Sequence, residues 1–192
     1  MLKIFQTIIA TTIFITLSVG VFFVSEFYAN KWETERLLKV ELVDINGKRW
    51  KISDLRAKIG IIYFGYTFCP DVCPTALSDL ADALKKVGPT GRRYQPIFIS
   101  VDPDRDSKEI ISEYVAHFDK NILGLTGSKA QLKSFAFNIG ATFSLEKRDP
   151  LDEDYVVNHT AGYFLLTAFG EKSPIPLGKN GESLAETIIK VT

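Results

Sequence analysis

The two cysteines of this 192-residue chain, Cys69 and Cys73, are separated by three residues and lie in one predicted turn. An apolar run at residues 59–64 precedes the turn and is typical of a buried strand, while residues 75–87 show helical periodicity. The turn therefore places two soft sulfur atoms at the carboxyl end of a strand, beside the start of a helix. Two neighbouring thiols can exchange disulfides, or they can bind a thiophilic metal ion.

The alternative is that both cysteines are buried apolar residues or form an inert bridge across the turn. Pro70 and Pro74 directly follow the two cysteines, which is an unusual setting for structural cysteines at a strand–helix junction. Pro74 suits the first position of a helix, so we expect Cys73 near the N-cap, where free amides favour a thiolate. The Cys-x-x-x-Cys spacing is one residue longer than in thioredoxin-type oxidoreductases, which permits a disulfide but weakens the analogy with a dedicated dithiol enzyme.

The chain has two histidines, and their contexts differ. His117 falls on the polar side of a predicted amphipathic helix, so we expect a solvated surface residue. His159 lies in a β-rich segment, residues 155–167, and a lone histidine in such a segment is usually a core or surface residue. Because the functional groups of α/β sheets gather at the carboxyl ends of strands, His159 can nonetheless lie beside the cysteine turn.

The acidic residues near these motifs are expected to serve structural roles. Asp71, between the cysteines, is expected to act at the helix N-terminus or behind the metal ligands rather than as a fourth ligand. Asp102, Asp104 and Asp106 resemble a calcium loop, but no glycine follows at the sixth position. We expect these carboxylates to form a turn and to cap a helix that begins near Asp106, with Glu109 as capping-box partner.

The amino terminus predicts a membrane anchor. Residues 4–25 contain no charged side chain, and as a helix they would cover roughly 30 Å, the thickness of the hydrocarbon core. Lys3 precedes this run, so the positive-inside rule assigns residues 1–3 to the cytoplasm and the rest of the chain to the far side. A cleaved signal peptide is the alternative, but its small-residue signal at residues 18–20 lies inside the run. The segment lacks transit-peptide character, which favours a single-pass anchor in a bacterial inner membrane and a periplasmic domain.

Beyond the anchor, residues 26–37 are interpreted as a polar linker, and residues 38–192 are long enough for one domain with a full core. Strands alternating with amphipathic helices predict an α/β layer fold. Local signals include a hairpin at residues 46–47 and a capping box formed by Ser128 with Gln131. The formal charge is zero, with 23 basic and 23 acidic residues, so no basic surface predicts binding to nucleic acid.

Three segments, in order along the chain, resemble the signature of the Sco/SenC family of copper-handling proteins: residues 63–74 (YFGYTFCPDVCP), 99–106 (ISVDPDRD) and 152–160 (DEDYVVNHT). The resemblance implies a thioredoxin-like fold, with a central mixed sheet flanked by helices, an N-terminal β-hairpin and a transmembrane anchor. It also implies that Cys69, Cys73 and His159 bind one copper ion, Cu(I) or Cu(II). The implied partner is cytochrome c oxidase subunit II, whose binuclear copper site would receive the ion from a metallochaperone.

The chain departs from the family pattern at two places. Position 158 is Asn where family members often carry Asp, and an amide can orient the neighbouring imidazole but cannot balance its charge. Residues 167–176 differ from the usual turn and strand, and the prolines at 174 and 176 restrict any strand there to a sheet edge. The second departure bears on partner docking and leaves the implied copper ligands intact.

Other functions stay open at this point, although we expect a binding protein rather than an enzyme. A thiol–disulfide reductase would use Cys69 and Cys73 as a redox-active pair, without His159, to keep the acceptor's cysteines reduced. Two cysteines and one histidine also suit a catalytic zinc ion. A peroxide reductase would need a Pro-x-x-x-Thr-x-x-Cys setting, which the chain lacks. The sequence identifies neither the copper donor nor the thiol reductant.

Overall fold

The computed structural model describes residues 2–88, 93–146, 155–176 and 184–191, so the acidic stretch expected to be a loop, residues 149–154, lies outside the described residues. The helices are α1 (Leu2–Lys39), α2 (Val72–Val87), α3 (Lys108–Ala116), α4 (Lys129–Ile139) and α5 (Leu184–Val191). The strands are β1 (Leu42–Asp44), β2 (Arg49–Trp50), β3 (Ile59–Gly65), β4 (Tyr94–Ser100), β5 (Leu123–Thr126), β6 (Phe143–Glu146), β7 (Val156–His159), β8 (Gly162–Leu166) and β9 (Lys172–Pro176).

A seven-stranded mixed sheet lies at the centre, in the order β2-β1-β5-β4-β3-β8-β9. Strands β3, β4 and β5 are parallel, whereas β1 and β8 run antiparallel to their neighbours. Strands β6 and β7 form a separate antiparallel pair. The predicted α/β fold with a central mixed sheet is therefore confirmed. The expected hairpin joins β1 to β2 through Gly47, whose φ of 78° favours glycine.

Burial explains why β3 and β4 are nearly continuous apolar runs, since strands covered on both faces have no solvent side to alternate with. The largest fully buried side chains include Tyr63, Phe64, Phe98 and Phe135. Strand β9 lies at the sheet edge, as its two prolines predicted. Strand β3 and helix α2, both with residues in the hydrophobic core, lie on either side of the cysteine turn.

Helix α2 begins earlier than the sequence suggested. Its first residue is Val72, with Asp71 at the N-cap, and Pro74 occupies the third helical position rather than the first. Cys73 therefore lies within the first turn of the helix. The Asp71 side chain makes no capping hydrogen bond.

The other predicted caps had mixed outcomes. The Ser128–Gln131 capping box at the start of α4 is confirmed. The start of α3 differs, because Ser107 is its N-cap and accepts a hydrogen bond from the Ile110 amide. Asp106 is not the cap; its carboxylate is buried and has other partners.

Helix α1 is continuous, so residues 26–37 continue the helix that begins at Leu2. By its length and composition this helix could cross a membrane. Its last turn packs against the domain, where Leu37 is fully buried and belongs to the hydrophobic core. Leu38 and Lys39 complete the helix, and the first strand begins at Leu42.

Candidate metal centre

The two cysteines are positioned by the strand–turn–helix segment that carries them. The Cys69 amide donates to the Tyr66 carbonyl over 3.3 Å, which closes the turn after β3. The Cys73 amide, in the first turn of α2, donates to the sulfur of Cys69 over 3.4 Å. One of the free amides at the helix N-terminus is thus used to hold a sulfur atom in place.

His159 is the last residue of β7, where it pairs with Phe143 of β6. Its Nε2 atom lies 3.5 Å from the Cys73 sulfur, although 86 residues separate the two in sequence. Its Nδ1 atom lies 3.2 Å from the Thr160 carbonyl oxygen, which can only accept a hydrogen bond. The ring proton therefore belongs on Nδ1, and the Nε2 lone pair faces the sulfurs.

Aromatic rings hold the imidazole edge-on beside the sulfurs. The centroids of Tyr63 and Tyr66 lie 5.8 and 6.3 Å from that of His159, at interplanar angles of 84° and 81°. The Tyr63 hydroxyl donates to the Cys73 sulfur over 3.9 Å. Burial raises the pKa of Tyr63, so this group stays a hydroxyl donor.

The cysteines differ in accessibility: Cys69 is 8% exposed and Cys73 is 0% exposed. Burial raises the pKa of the Cys73 thiol to about 12, outweighing the effect of the helix N-terminus that the sequence suggested. Burial also lowers the pKa of His159, which keeps the imidazole neutral and able to donate its lone pair. Without a metal, Cys73 and His159 are therefore neutral ligands in a largely buried site.

The three predicted ligands fit around one ion. The two sulfurs and a ring nitrogen of His159 all lie within 4.8 Å of one another. For Zn²⁺, bonds of about 2.3 Å to sulfur and 2.0 Å to nitrogen put the ligand atoms about 3.5–4 Å apart, so small side-chain shifts suffice. Cys69 and His159 also line an open cleft with Tyr66, Val72 and Val156, which gives an ion a route in and out. Sulfur and imidazole ligands of this kind suit copper and zinc.

The sequence profile of the SCO1/SenC family matches residues 36–192. The chain belongs to the SCO1/SenC family. Protein sco1 of Schizosaccharomyces pombe is 36% identical to it over 151 residues, covering 77% of this chain and 57% of that protein. The chain spans less than two thirds of the length of the curated relatives that it matches.

Solved structures of SCO1/SenC relatives resemble the chain over most of its length. ScoI of Arabidopsis thaliana, solved with copper bound, matches with a TM-score of 0.70 at 34% identity, covering 78% of this chain and 93% of that one. ScoI of Bradyrhizobium japonicum, also solved with copper bound, matches with a TM-score of 0.68 at 33% identity, covering 80% and 97%. The fold implied by the sequence resemblance is confirmed by these matches.

The carboxylates of the SCO1/SenC segment 99–106 do not form a calcium site. Asp102 and Asp106 are buried, whereas Asp104 is exposed and pairs with Lys129. The Asp106 carboxylate accepts hydrogen bonds from Ser100 and from the amide and hydroxyl of Thr67 in the cysteine turn. Asp106 therefore fixes the turn from the side of β4, a role that the sequence did not suggest.

Arg105 and Tyr155 lie near the site, and the sequence analysis did not select them as functional candidates. Asp102, 1% exposed, accepts hydrogen bonds from the Arg105 Nε and from the Tyr155 hydroxyl. Arg105 and Tyr155 lie in two of the segments that resemble the family signature, and this resemblance was the only sign in the sequence of their importance. Tyr155 precedes β7, so this cluster joins the β4–α3 loop to the strand that ends at His159.

The remaining candidates lie apart from the ligand cluster. His117 is exposed at the C-cap of α3 with its ring against Phe118, and is a surface residue as the sequence predicted. Asn158 is exposed on β7 and pairs with Ser144 of β6. Because the imidazole is oriented by the Thr160 carbonyl, an Asn at position 158 does not deprive His159 of a partner.

Proposed function

We propose that the chain is a membrane-anchored copper metallochaperone in which Cys69, Cys73 and His159 bind one Cu(I) or Cu(II) ion as cargo. The observation that carries this proposal is the approach of Nε2 of His159 to within 3.5 Å of the Cys73 sulfur. Nothing in the local sequence requires this convergence. The copper-bound relatives, at 33% and 34% identity, favour copper over zinc as the ion.

Binding and release follow from the protonation state of the ligands. Each thiol must lose its proton to bind copper, whereas the neutral imidazole needs no such step. Because the Cys73 thiol is buried with a raised pKa, protons compete strongly with copper at this sulfur. In release, the thiolates of an acceptor would replace Cys69 first, since Cys69 lines the open cleft and Cys73 does not.

The acceptor that we propose is the copper-binding domain of cytochrome c oxidase subunit II, which would receive copper for its binuclear site. The anchor that we propose is a single pass through a bacterial inner membrane, with the domain on the periplasmic side. The length and composition of α1 support the span, and Lys3 before the apolar run supports the orientation. An anchored carrier would meet a membrane-embedded acceptor by diffusion in two dimensions. Such a cycle also requires a copper donor and a reductant for the thiols as separate partners.

A second candidate function is thiol–disulfide reduction by the same cysteine pair. The unequal exposure of the cysteines favours it, because Cys69 can attack while the buried Cys73 resolves. In this reaction the Cys69 thiolate attacks an acceptor disulfide and releases one acceptor thiol. Cys73 then displaces the second acceptor thiol, leaving a Cys69–Cys73 disulfide that an external dithiol must reduce.

The test is metal analysis and copper titration of the full chain in detergent, purified reduced and without oxygen. We expect one copper per chain, and we expect His159→Ala to weaken copper affinity by about tenfold or more. His117→Ala is the matched control, because His117 is exposed at the carboxyl end of α3, and it should bind copper as the parent chain does. Unchanged stoichiometry and affinity in His159→Ala would remove this residue from the site.

The same variants separate the two candidate functions. A reductase needs only the cysteines, so His159→Ala should still reduce an acceptor disulfide when free of metal. A metallochaperone needs all three ligands, so the same variant should fail to transfer copper. Preferential binding of zinc by the reduced parent chain would contradict the copper assignment.

A further inference from the structure

The carboxyl-terminal part of α1 is fixed to the domain rather than joined to it flexibly. Leu37 is fully buried in the core. The Glu33 carboxylate accepts a hydrogen bond from the Lys172 ammonium over 3.1 Å. A Cβ atom added to Gly170 would lie 2.9 Å from Cγ2 of Thr34, which shows how closely the β8–β9 turn approaches the helix. Because α1 is continuous, the orientation of the domain follows that of the apolar segment.

The carboxyl end of α4 and the β8–β9 turn lie on the side of the domain from which the apolar segment of α1 emerges. Helix α4 runs antiparallel to the end of α1: its Gln131 side chain donates to the Glu41 carbonyl. At the other end of α4, the Lys172 ammonium contacts both the Asn138 carbonyl and Glu33. The carboxyl end of α4 and the β8–β9 turn therefore both point back along α1, toward residues 4–25.

Large aromatic side chains are exposed at this end of the domain. Phe169, beside Gly170 in the β8–β9 turn, is 77% exposed, and Phe137, beside Asn138 in α4, is 69% exposed. Trp32, on α1 just before Glu33, is 65% exposed. We refer to Trp32, Phe137 and Phe169 as the aromatic rim. Tryptophan is enriched at the membrane–water interface, and exposed phenylalanine is common on the apolar faces that rest at the boundary of headgroups and acyl chains.

From this arrangement we infer that the aromatic rim rests in the lipid headgroup layer and fixes the domain against the membrane. The inference depends on the proposed membrane anchor. Trp32 follows Ser25 by seven residues, which is about 10 Å along a helix axis. The headgroup layer extends about 5–7 Å beyond the hydrocarbon on each side. The length of an aromatic side chain covers the remaining distance of about 3–5 Å for Trp32. A tilt of about 20°, common for spanning helices, lowers the side of the domain toward which the helix leans, and with it Phe137 and Phe169.

The strand register then determines how far the metal site can lie from the membrane. The β8–β9 turn follows Leu166, which pairs with Gly60 near the start of β3. Cys69 lies beyond Gly65, at the opposite end of the same strand. Strand β3 is seven residues long, which corresponds to about 20 Å. The rim in the lipid would thus hold the copper ligands at the opposite end of the sheet, up to about 20 Å further from the membrane, where an acceptor's soluble domain can reach them.

The test uses the full chain in vesicles of phosphatidylethanolamine and phosphatidylglycerol that carry a nitroxide-headgroup lipid as quencher. In a Trp32→Phe background, one tryptophan is introduced by Phe137→Trp or by Phe169→Trp. The matched control is Phe68→Trp, because Phe68 is 60% exposed but lies in the cysteine turn at the opposite end of the sheet. Trp50 is buried and contributes the same background in every variant.

We expect the headgroup nitroxide to quench the Phe137→Trp and Phe169→Trp variants at least twofold more than the Phe68→Trp variant. Equal quenching in all three would overturn the inference, as would strongest quenching at position 68. If neither aqueous acrylamide nor the lipid quencher reduces the tryptophan fluorescence at positions 137 and 169, the rim is covered by protein, such as a second copy of the chain. The inference is then also wrong.

Two measurements on the same samples separate this inference from the proposed function. Alkaline carbonate washing reports whether the chain is embedded at all, and copper loading reports whether the metal site works. A chain that resists washing and binds copper, yet shows no difference between rim and control, disproves the rim contact alone. A chain released by carbonate disproves the anchor, and the inference falls with it, while copper loading still tests the site.

Discussion

The guanidinium of Arg105 stacks on the ring of Tyr155, with 3.6 Å between its Cζ atom and the ring centroid. The same guanidinium lies 5.1 Å from the ring centroid of Phe68, in the cysteine turn. Its Nε atom donates to Asp102, which also accepts from the Tyr155 hydroxyl. Arg105 therefore connects the turn that carries the cysteines to the segment that leads into β7 and His159.

Replacing Arg105 tests whether it stabilises the contact between the cysteine turn and the segment that leads into β7. We expect Arg105→Met to lower the free energy of unfolding by about 3–5 kcal/mol, because Asp102 is left as a buried charge without its cationic partner. The double variant Arg105→Met/Asp102→Asn should recover a large part of the loss, since it no longer buries a lone charge. Urea unfolding of the reduced, metal-free chain measures both. Equal losses in the single and double variants would contradict the charge argument.

A second measurement separates positioning from stability alone. If Arg105 aligns the two ligand segments, Arg105→Met should weaken copper affinity by about tenfold, as loss of supporting contacts behind metal ligands commonly does. Phe135→Leu is the control: it truncates a fully buried side chain that packs on Trp50 and Phe64. It should destabilise the domain while leaving copper affinity unchanged.

Gly65, at the end of β3, is expected to be necessary for the ligand geometry. A Cβ atom at this position would lie 2.9 Å from the Cys73 sulfur and 2.8 Å from Cε2 of Phe98. We expect Gly65→Ala to displace the sulfur and to lower both copper affinity, by about tenfold, and stability, by about 1–3 kcal/mol. Competition with a Cu(I) chelator measures the first quantity, and urea unfolding the second.

Gly124 offers a control for the same substitution. A Cβ atom there would lie 2.6 Å from Cγ2 of Ile111 and 2.9 Å from Cγ2 of Ile45, away from the ligands. Gly124→Ala should therefore cost similar stability but leave copper affinity as it is. A parallel fall in copper affinity for both variants would mean that the effect at Gly65 is general loosening of the core.

Much of the framework follows from local sequence signals. The apolar run of β3, the hairpin at Gly47 and the Ser128–Gln131 capping box are set by residues close together in the chain, and all were predicted. The pair Cys69 and Cys73 was recognisable for the same reason. The start of α2 was misplaced because proline is tolerated throughout the first helical turn, so Pro74 did not mark its first residue.

What the local sequence could not supply were the contacts between distant segments. His159 reaches Cys73 across 86 residues, and Tyr155 reaches Asp102 across 53. Without the family resemblance, the residue type of His159 favoured a core or surface position. The Cys73 thiol shows the same limit, because the helix N-terminus was visible in the sequence whereas the burial that raises its pKa comes from the packed domain.

The unequal environments of the two cysteines should appear in their reactivity. The Cys73 thiol is fully buried with a pKa of about 12, so little thiolate exists near pH 8, whereas Cys69 lines the cleft. We expect Cys73 in Cys69→Ser to react with iodoacetamide at least about a hundredfold more slowly than Cys69 in Cys73→Ser. Mass spectrometry of the reduced chain at pH 8 gives both rates. Comparable rates would mean that Cys73 is not protected by the fold.

His159 should make the metal-free domain sensitive to mild acid. Its pKa is lowered in the folded chain by burial, while in the unfolded chain it should stay near the ordinary value of about 6.5. As the pH falls below about 6.5, the unfolded chain binds the proton first. The free energy of unfolding should therefore fall, by at most about 1.4 kcal/mol per pH unit from this group, until the folded-state pKa is reached.

Replacing the histidine isolates its share of this pH dependence. His159→Asn should have a flatter stability profile between pH 7 and 5 than the parent chain, whereas His117→Asn should retain the contribution of His159. Urea unfolding of reduced, metal-free protein at several pH values provides the comparison. Copper should largely suppress the effect in the parent chain, because an ion bound at Nε2 competes with the proton for the same lone pair. A parent chain and His159→Asn with superimposable metal-free profiles would show that the imidazole is not held neutral by burial.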